Sequence, residues 1–464
     1  MCDGTRDVNV LENISIVLRY VDGTATIRER LLCIVDTTEL DTEGLKNVIM
    51  LHLEKHNIRL DRLLAQCYDG ASVMSGTKGG IQALIQERLN RKVPYIHCFN
   101  HQLHLVVQYA VSSDKTVASY FNICQQLYNF FRRPNIYAKY GGDSLKRVLD
   151  QRWEGHLSAA VTLEKSLSEI VKVLQECENG VEETAVIASG LLKRLADPQI
   201  LLLSKYLPVL LKKLDVPNKL LQSKTATFLD AVAIVNTTKE VIQEMNNEDT
   251  FLSYWNQITF ESGNSGQPSA KRTRIVSRRL AGYEYDPCGP AAVSTFSSEP
   301  PLISSTPTDS ERCKAWSTYH NLLNGFIAEL NKRFGELQCN IAISVEATHP
   351  ASKNFMEKVA LQPLADLVGL VLDYAELQLV KKFFALETGR ANDPASIQAS
   401  PITEAMPTVR QIVSLARTIG VSTAVCESSF STLKRILTPQ RCSMLHQRKA
   451  DLILISFEKE ITKN

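Results

Sequence analysis

The sequence has almost no net charge: 52 Lys and Arg against 50 Asp and Glu leave +2. This excludes a chain that coats nucleic acid by bulk basicity, so any DNA-handling surface has to be a local patch balanced by acid elsewhere. Long apolar runs are also lacking. No stretch approaches the roughly 18 uninterrupted apolar residues of a membrane-spanning helix, and the opening Met1-Cys2-Asp3-Gly4 carries no signal-peptide pattern. No internal repeat is apparent, and no Cys-x-x-Cys occurs. The eleven cysteines are odd in number and scattered through apolar segments, as at Cys33, Cys67 and Cys124. That distribution fits buried thiols in a reducing compartment better than a disulfide framework. An intracellular chain with no membrane partner is expected.

Against these absences, 44% hydrophobic and 22% charged residues over 464 positions are ordinary for a globular protein and allow two to four domains. Asn13–Val21 is rich in β-branched and apolar residues, Asp22-Gly23 signals a tight hairpin, and Thr24–Val35 returns as a second strand. Asp41 or Thr42 opens a helix with Leu45, Val48, Ile49 and Leu53 on one face. Leu63–Tyr68 reads as a short buried strand ending at Asp69. A helix from about Gly80 to Leu89 and an extended Tyr95–His97 follow. Hairpin, helix, strand and helix in that order predict an α/β or α+β domain with a mixed sheet.

From His156 to Asn247 the apolar period is helical, with Pro217 expected to end one run. Residues 262–309 are rich in Gly, Ser, Pro and Thr and are expected to be a disordered loop. Ala315–Leu337 reads as a helix carrying Trp316, Tyr319, Leu323, Phe326, Leu330 and Phe334 on one face. Residues 387–407 read as a linker. Thr408–Ile461 is helical again, broken at Pro439.

Candidate chemistry sits at a few points. Asp69, at a strand end, stands where open α/β sheets present ligand-binding groups, although an Asp-Gly turn explains the dipeptide as well. His97, Cys98, His101 and His104 have metal-ligand character, and Cys98 and His101 at i, i+3 share a helix face. A closed zinc site needs four converging ligands, and neighbours such as His97 and Cys98 point apart on a helix, which favours a structural role. Lys271, Arg272, Arg274, Arg278 and Arg279 form a basic run inside the loop, readable as a nuclear-import or phosphate-contacting arm or as a solvated charge cluster. Glu427 falls in the first turns of a helix capped by Ser422 or Thr423, where the dipole favours an acid. Leu452, Ile453, Leu454, Ile455 and Phe457 are too continuously apolar for a helix with one wet side. They are expected to be covered all round, by the rest of the fold or by a partner chain.

Several of these segments together resemble the hAT superfamily of DNA transposases, in particular the zinc-finger MYM-type group of transposase-derived proteins. They are Asp3-Gly4-Thr5-Arg6-Asp7, the Asp69 segment, Cys98-x-x-His101, Gln151-Arg152-Trp153, the Phe326–Phe334 helix, and the Glu427 block with Leu452–Phe457. The resemblance implies an α+β fold: an RNase H-like core split by a large, mainly helical insertion. Residues 1–153 would be the first part of the core, 154–400 the insertion, and 408–464 a dimerisation region that completes the core. It implies Asp3, Asp69 and Glu427 as a carboxylate triad that would hold Mg2+ in an active enzyme, and Trp153 as a residue stacking on flipped DNA. Trp153, Lys271, Arg272 and Arg274 are the DNA-binding candidates; Cys98 and His101 would be a structural motif; Leu452, Ile455 and Phe457 would serve dimerisation. With two residues before Asp3, the chain reads as the C-terminal part of a longer transposase-like protein. Two functions follow as expectations. One is a domesticated or degenerate homo-oligomer, nuclear and DNA-associated. The other is an active metal-dependent transposase or nuclease.

Overall fold

The structure, a computed structural model, describes residues 1–148, 153–180, 183–223, 226–263, 307–335, 340–386 and 393–459. The whole basic run at 271–279 and most of the loop expected at 262–309 lie outside the described residues.

The chain begins with strands β1 (Cys2–Arg6), β2 (Glu12–Val21) and β3 (Ile27–Thr37), then helix α1 (Thr42–Lys55). Strand β4 (Gln66–Tyr68), the short α2 (Ser72–Ser75), α3 (Ile81–Leu89), β5 (Tyr95–His97) and α4 (Phe99–Ser113) follow. Then come α5 (Lys115–Phe131), the short α6 (Pro134–Tyr137), α7 (Trp153–Glu178), α8 (Glu183–Leu195), α9 (Pro198–Leu221) and α10 (Phe228–Met245). The series continues with α11 (Glu248–Gly263), α12 (Asp309–Phe334), α13 (Asn340–Glu346), α14 (Lys358–Asp366), α15 (Tyr374–Leu386) and α16 (Pro394–Ala399). It ends with α17 (Pro407–Thr418), α18 (Ala424–Ile436) and α19 (His446–Phe457). The fold is α+β with a large helical part.

Two compact units emerge. The first comprises residues 1–110, 211–244 and 324–464; the second, residues 111–210 and 245–323. The second unit is helical among its described residues, and its core is aromatic. Tyr206 and Tyr319 meet edge to face with centroids 4.9 Å apart, and the buried Tyr319 hydroxyl donates to the Met245 carbonyl at 2.6 Å. A phenol buried in this way needs such an acceptor.

The first unit contains both sheets found among the described residues. β1, β2 and β3 form an antiparallel sheet in that order, and β4 and β5 pair in parallel. The expected mixed sheet is thus two hydrogen-bonded ladders, with β1 beside β4. The period of two along β2 assigns its faces. Ile14 and Ile16 join Cys2 in a core with Leu45, Ile49 and Leu53 of α1 and Ile81 and Ile85 of α3. On the opposite face Val17 joins Leu31 and Ile34 against Val425, Phe430 and Leu433 of α18 and Ile453 of α19. Residues more than 300 positions apart in the chain therefore cover the two faces of one small sheet.

Local chemistry fixes the element ends. The Asp41 carboxylate accepts from Gly44 N–H and caps α1. The β2–β3 hairpin is longer than Asp22-Gly23 alone suggests: Asp22 accepts from the N–H groups of both Thr24 and Thr26, and β3 starts at Ile27. Two further expectations are corrected. Pro217 does not end its run, because α9 continues to Leu221; in the last turns of a long helix the packing of neighbouring apolar residues offsets the lost N–H. The linker expected over 387–407 contains α16, closed by a capping box between Asp393 and Ser396. Within this chain the apolar tail of α19 is covered on one side, where Ile453 is buried, while Leu454 and Ile455 are exposed.

Candidate functional site

The site candidates of the first unit gather where β4 and β5 end. Tyr68 closes β4, its carbonyl accepts from Cys98 N–H at 2.9 Å, and Phe99 N–H donates to the Val421 carbonyl at 2.8 Å. The Cys98 thiol, fully buried, accepts from the Thr423 backbone N–H at 3.3 Å and lies 3.4 Å from its hydroxyl. Glu427 N–H in turn bonds the Thr423 carbonyl at 3.1 Å, which starts α18. A short relay of contacts thus joins the strand that ends before Asp69 to the helix that carries Glu427. Cys98 is its middle link, and burial pushes its thiol pKa up. A protonated, enclosed thiol of this kind is a packing and hydrogen-bonding group; metal ligation needs the thiolate. The α18 cap differs in detail from expectation. Ser422 Oγ accepts from Ala424 N–H, while the Thr423 hydroxyl turns to Cys98.

Asp3 reaches the same neighbourhood from β1. It pairs with Ser15, so the two side chains share a sheet face, and the buried Ser15 and Ser429 hydroxyls meet at 2.9 Å. Asp3 therefore lies on the sheet face that α18 covers. Asp69 follows β4, its carboxylate accepting from Ala71 N–H at 3.3 Å and its carbonyl from the Tyr95 hydroxyl at 2.9 Å. It is at once a turn residue and a strand-end carboxylate. Among the described residues, however, no three His, Cys, Asp or Glu side chains form a group that could hold a metal ion. Asp3 on β1, Asp69 after β4 and Glu427 on α18 sit on elements that adjoin one another, β1 lying beside both β4 and α18.

The histidines line up in a row, tilted against one another, instead of converging. Tyr68, Tyr95, His97, His101 and His104 form a ladder with successive centroids 6.0, 6.2, 5.6 and 6.2 Å apart. Burial, with lesser contributions from His101 and Arg333, pushes the His97 pKa down to about 4, so the ring is neutral at physiological pH. Burial also lowers His101, partly offset by the Asp69 carboxylate. His97 lies against Gly70, where a Cβ would stand 2.4 Å from its Cε1. Any side chain after Asp69 would require the His97 ring to shift, a close approach that the Asp-Gly dipeptide did not disclose. Trp153 is the first residue of α7. Lys271, Arg272 and Arg274 lie outside the described residues.

Sequence reasoning missed a charged cluster on the other side of the first unit. Lys449 of α19, about 2% exposed, donates to Asn13 Oδ1 at 2.8 Å and bridges the Asp7 and Asp36 carboxylates. At the other end of α19, Glu458 accepts from Arg30 at 2.8 Å and from Leu31 N–H at 2.7 Å. The available signal was Lys449 standing on the same stripe as Ile453 and Phe457 at i, i+4 and i+8. A lysine on an apolar stripe needs buried carboxylates to meet it.

Comparison with known families follows these two ends of the chain. Residues 402–458 match the hAT family C-terminal dimerisation region, and the two matches together support a hAT-derived protein. The second match narrows the relation: residues 1–80 match the ZMYM1/FAM200 RNase-like domain. The two matched regions are those whose side chains meet across the three-stranded sheet.

Proposed function

We propose that this is a domesticated or degenerate transposase-derived protein that associates with a second copy of itself through the outer face of α19 and with DNA in the nucleus. The observation that carries the dimer reading is the outer stripe of exposed Leu445 and Ile455 with half-buried Leu452 between them, at i, i+10 and i+7, inside the region matching a dimerisation region. Leu445 is 80% and Ile455 54% exposed, while Ile453 and Phe457 turn inward to the sheet. Phe457 therefore supports the helix from within, and Leu452 and Ile455 are the residues offered to a partner. The proposal includes an RNase H-like core, supported by β1 lying beside β4 and by α1 and α3 on one face of the three-stranded sheet with α18 and α19 on the other. Sedimentation of wild type and of Leu452→Glu/Ile455→Glu tests the dimer. A wild-type dimer at concentrations on the order of micromolar, converted to folded monomer by the substitutions, is the expected result. A wild type that stays monomeric refutes it.

A second reading, an active nuclease or transposase using Mg2+, draws on the placement of Asp3, Asp69 and Glu427 on adjoining elements. Cleavage of DNA in the presence of Mg2+, abolished in Asp69→Asn, would establish it. Equal cleavage by both proteins would remove it.

A further inference from the structure

We propose that the self-association surface is composite, formed by the outer stripe of α19 together with the β1–β2 loop, residues 7–11. The inference rests on the dimer reading above and commits to the same occupant, a second copy of this chain.

The loop reads Asp7-Val8-Asn9-Val10-Leu11, and all three of its apolar side chains are exposed, Val10 at 74%. Val10 also has φ of 63°. The left-handed region is costly for a β-branched residue, and a loop serving only as a turn would place Gly or Asn there. An apolar, strained residue held in water needs a compensating role.

The loop is not loosely held. The Asp7 carboxylate accepts from Asn9 N–H at 2.8 Å and Leu11 N–H at 3.1 Å, and Lys449 of α19 binds the same carboxylate at 3.3 Å. Asn9 Nδ2 donates to the Cys442 carbonyl at 2.8 Å. These bonds fix the loop beside the segment leading into α19, three residues from the exposed Leu445. The loop's apolar groups are therefore anchored to the start of the same helix whose outer stripe is offered to a partner. An apolar surface ordered before binding loses little further freedom on association. In a two-fold dimer each copy contributes the same patch, so loop and stripe together double the number of anchors.

The test uses the full chain in sedimentation equilibrium, with thermal unfolding run alongside. Val10→Asp should raise the dimer dissociation constant by about tenfold or more, the weakening expected when a buried anchor is replaced by a charge. Val10→Gly discriminates further. Glycine relieves the backbone strain, so heat stability should hold or rise, while dimer affinity should still fall. A residue with a purely structural role would change stability and leave affinity alone. Wild-type affinity in both Val10 variants, with Ile455→Glu still dissociating the dimer, overturns the composite surface and spares the α19 interface. A wild type monomeric at all concentrations overturns both.

Discussion

Replacing Lys449 with Met would test whether the C-terminal helix is an integral layer of the N-terminal sheet. The Lys449 ammonium is about 2% exposed and the Asp7 carboxylate about 1%, whereas Asp36 retains 21% exposure. Removing one partner of a buried ion pair costs roughly 3–5 kcal/mol, because the other charge stays behind without its counterion. Asp36 can rehydrate, and Asp7 keeps the N–H groups of Asn9 and Leu11 and the amide of Asn13. The lower end, about 3 kcal/mol, is therefore expected. Native-state hydrogen exchange of the α19 and β3 amides is the assay, since it reads opening of this layer apart from the rest of the chain. Asp7→Asn added to Lys449→Met should recover part of the loss by removing the stranded charge. The pH dependence has a definite sign. Burial opposes ionisation of Asp7, but hydrogen bonds from Asn13, Asn9 and Leu11, with the Lys449 charge, hold its pKa below the ordinary value. A depressed carboxyl pKa contributes stability that is complete above the unfolded value of about 3.9 and is lost as pH falls through the folded value. Lys449→Met should flatten that acid loss. A change below about 1 kcal/mol, within the range of exposed ion pairs, would refute the reasoning.

Two further outcomes follow from the β4–β5 end. Gly70→Ala would drive a Cβ to 2.4 Å from the His97 ring, so denaturant unfolding should show a loss of about 1–3 kcal/mol from overpacking; unchanged stability would mean the ring moves freely aside. His97, with its pKa pushed down to about 4 by burial, stabilises the fold while neutral: its contribution is present above its unfolded value of about 6.5 and lost as pH falls toward 4. NMR titration should place its midpoint near the lower figure, and a midpoint near 6.5 would show that the ring is solvated.

The sequence by itself determined the elements whose signals are local. The β-branched and apolar run in Asn13–Val21, the Asp41 cap and the break at Pro439 each depend on neighbours within a few residues, and they appear as β2, the start of α1 and the gap between α18 and α19. The apolar run of Leu452 to Phe457 announced a helix needing cover, but which residues turn inward depends on where β3 lies, and no local pattern records that. Pro217 was misread because a proline's cost is local while the packing that offsets it belongs to the whole helix. The relay from Tyr68 through Cys98 and Thr423 to Glu427, and the cluster of Asp7, Asn13, Asp36 and Lys449, join residues more than 300 positions apart. Their partners are chosen by strand register and by the helices laid on each face, so only the tertiary structure decided them. The covalent chain supplies the charges and hydroxyls; the sheet, by pairing Asp3 with Ser15 and setting Ser15 against Ser429, decides which of them meet.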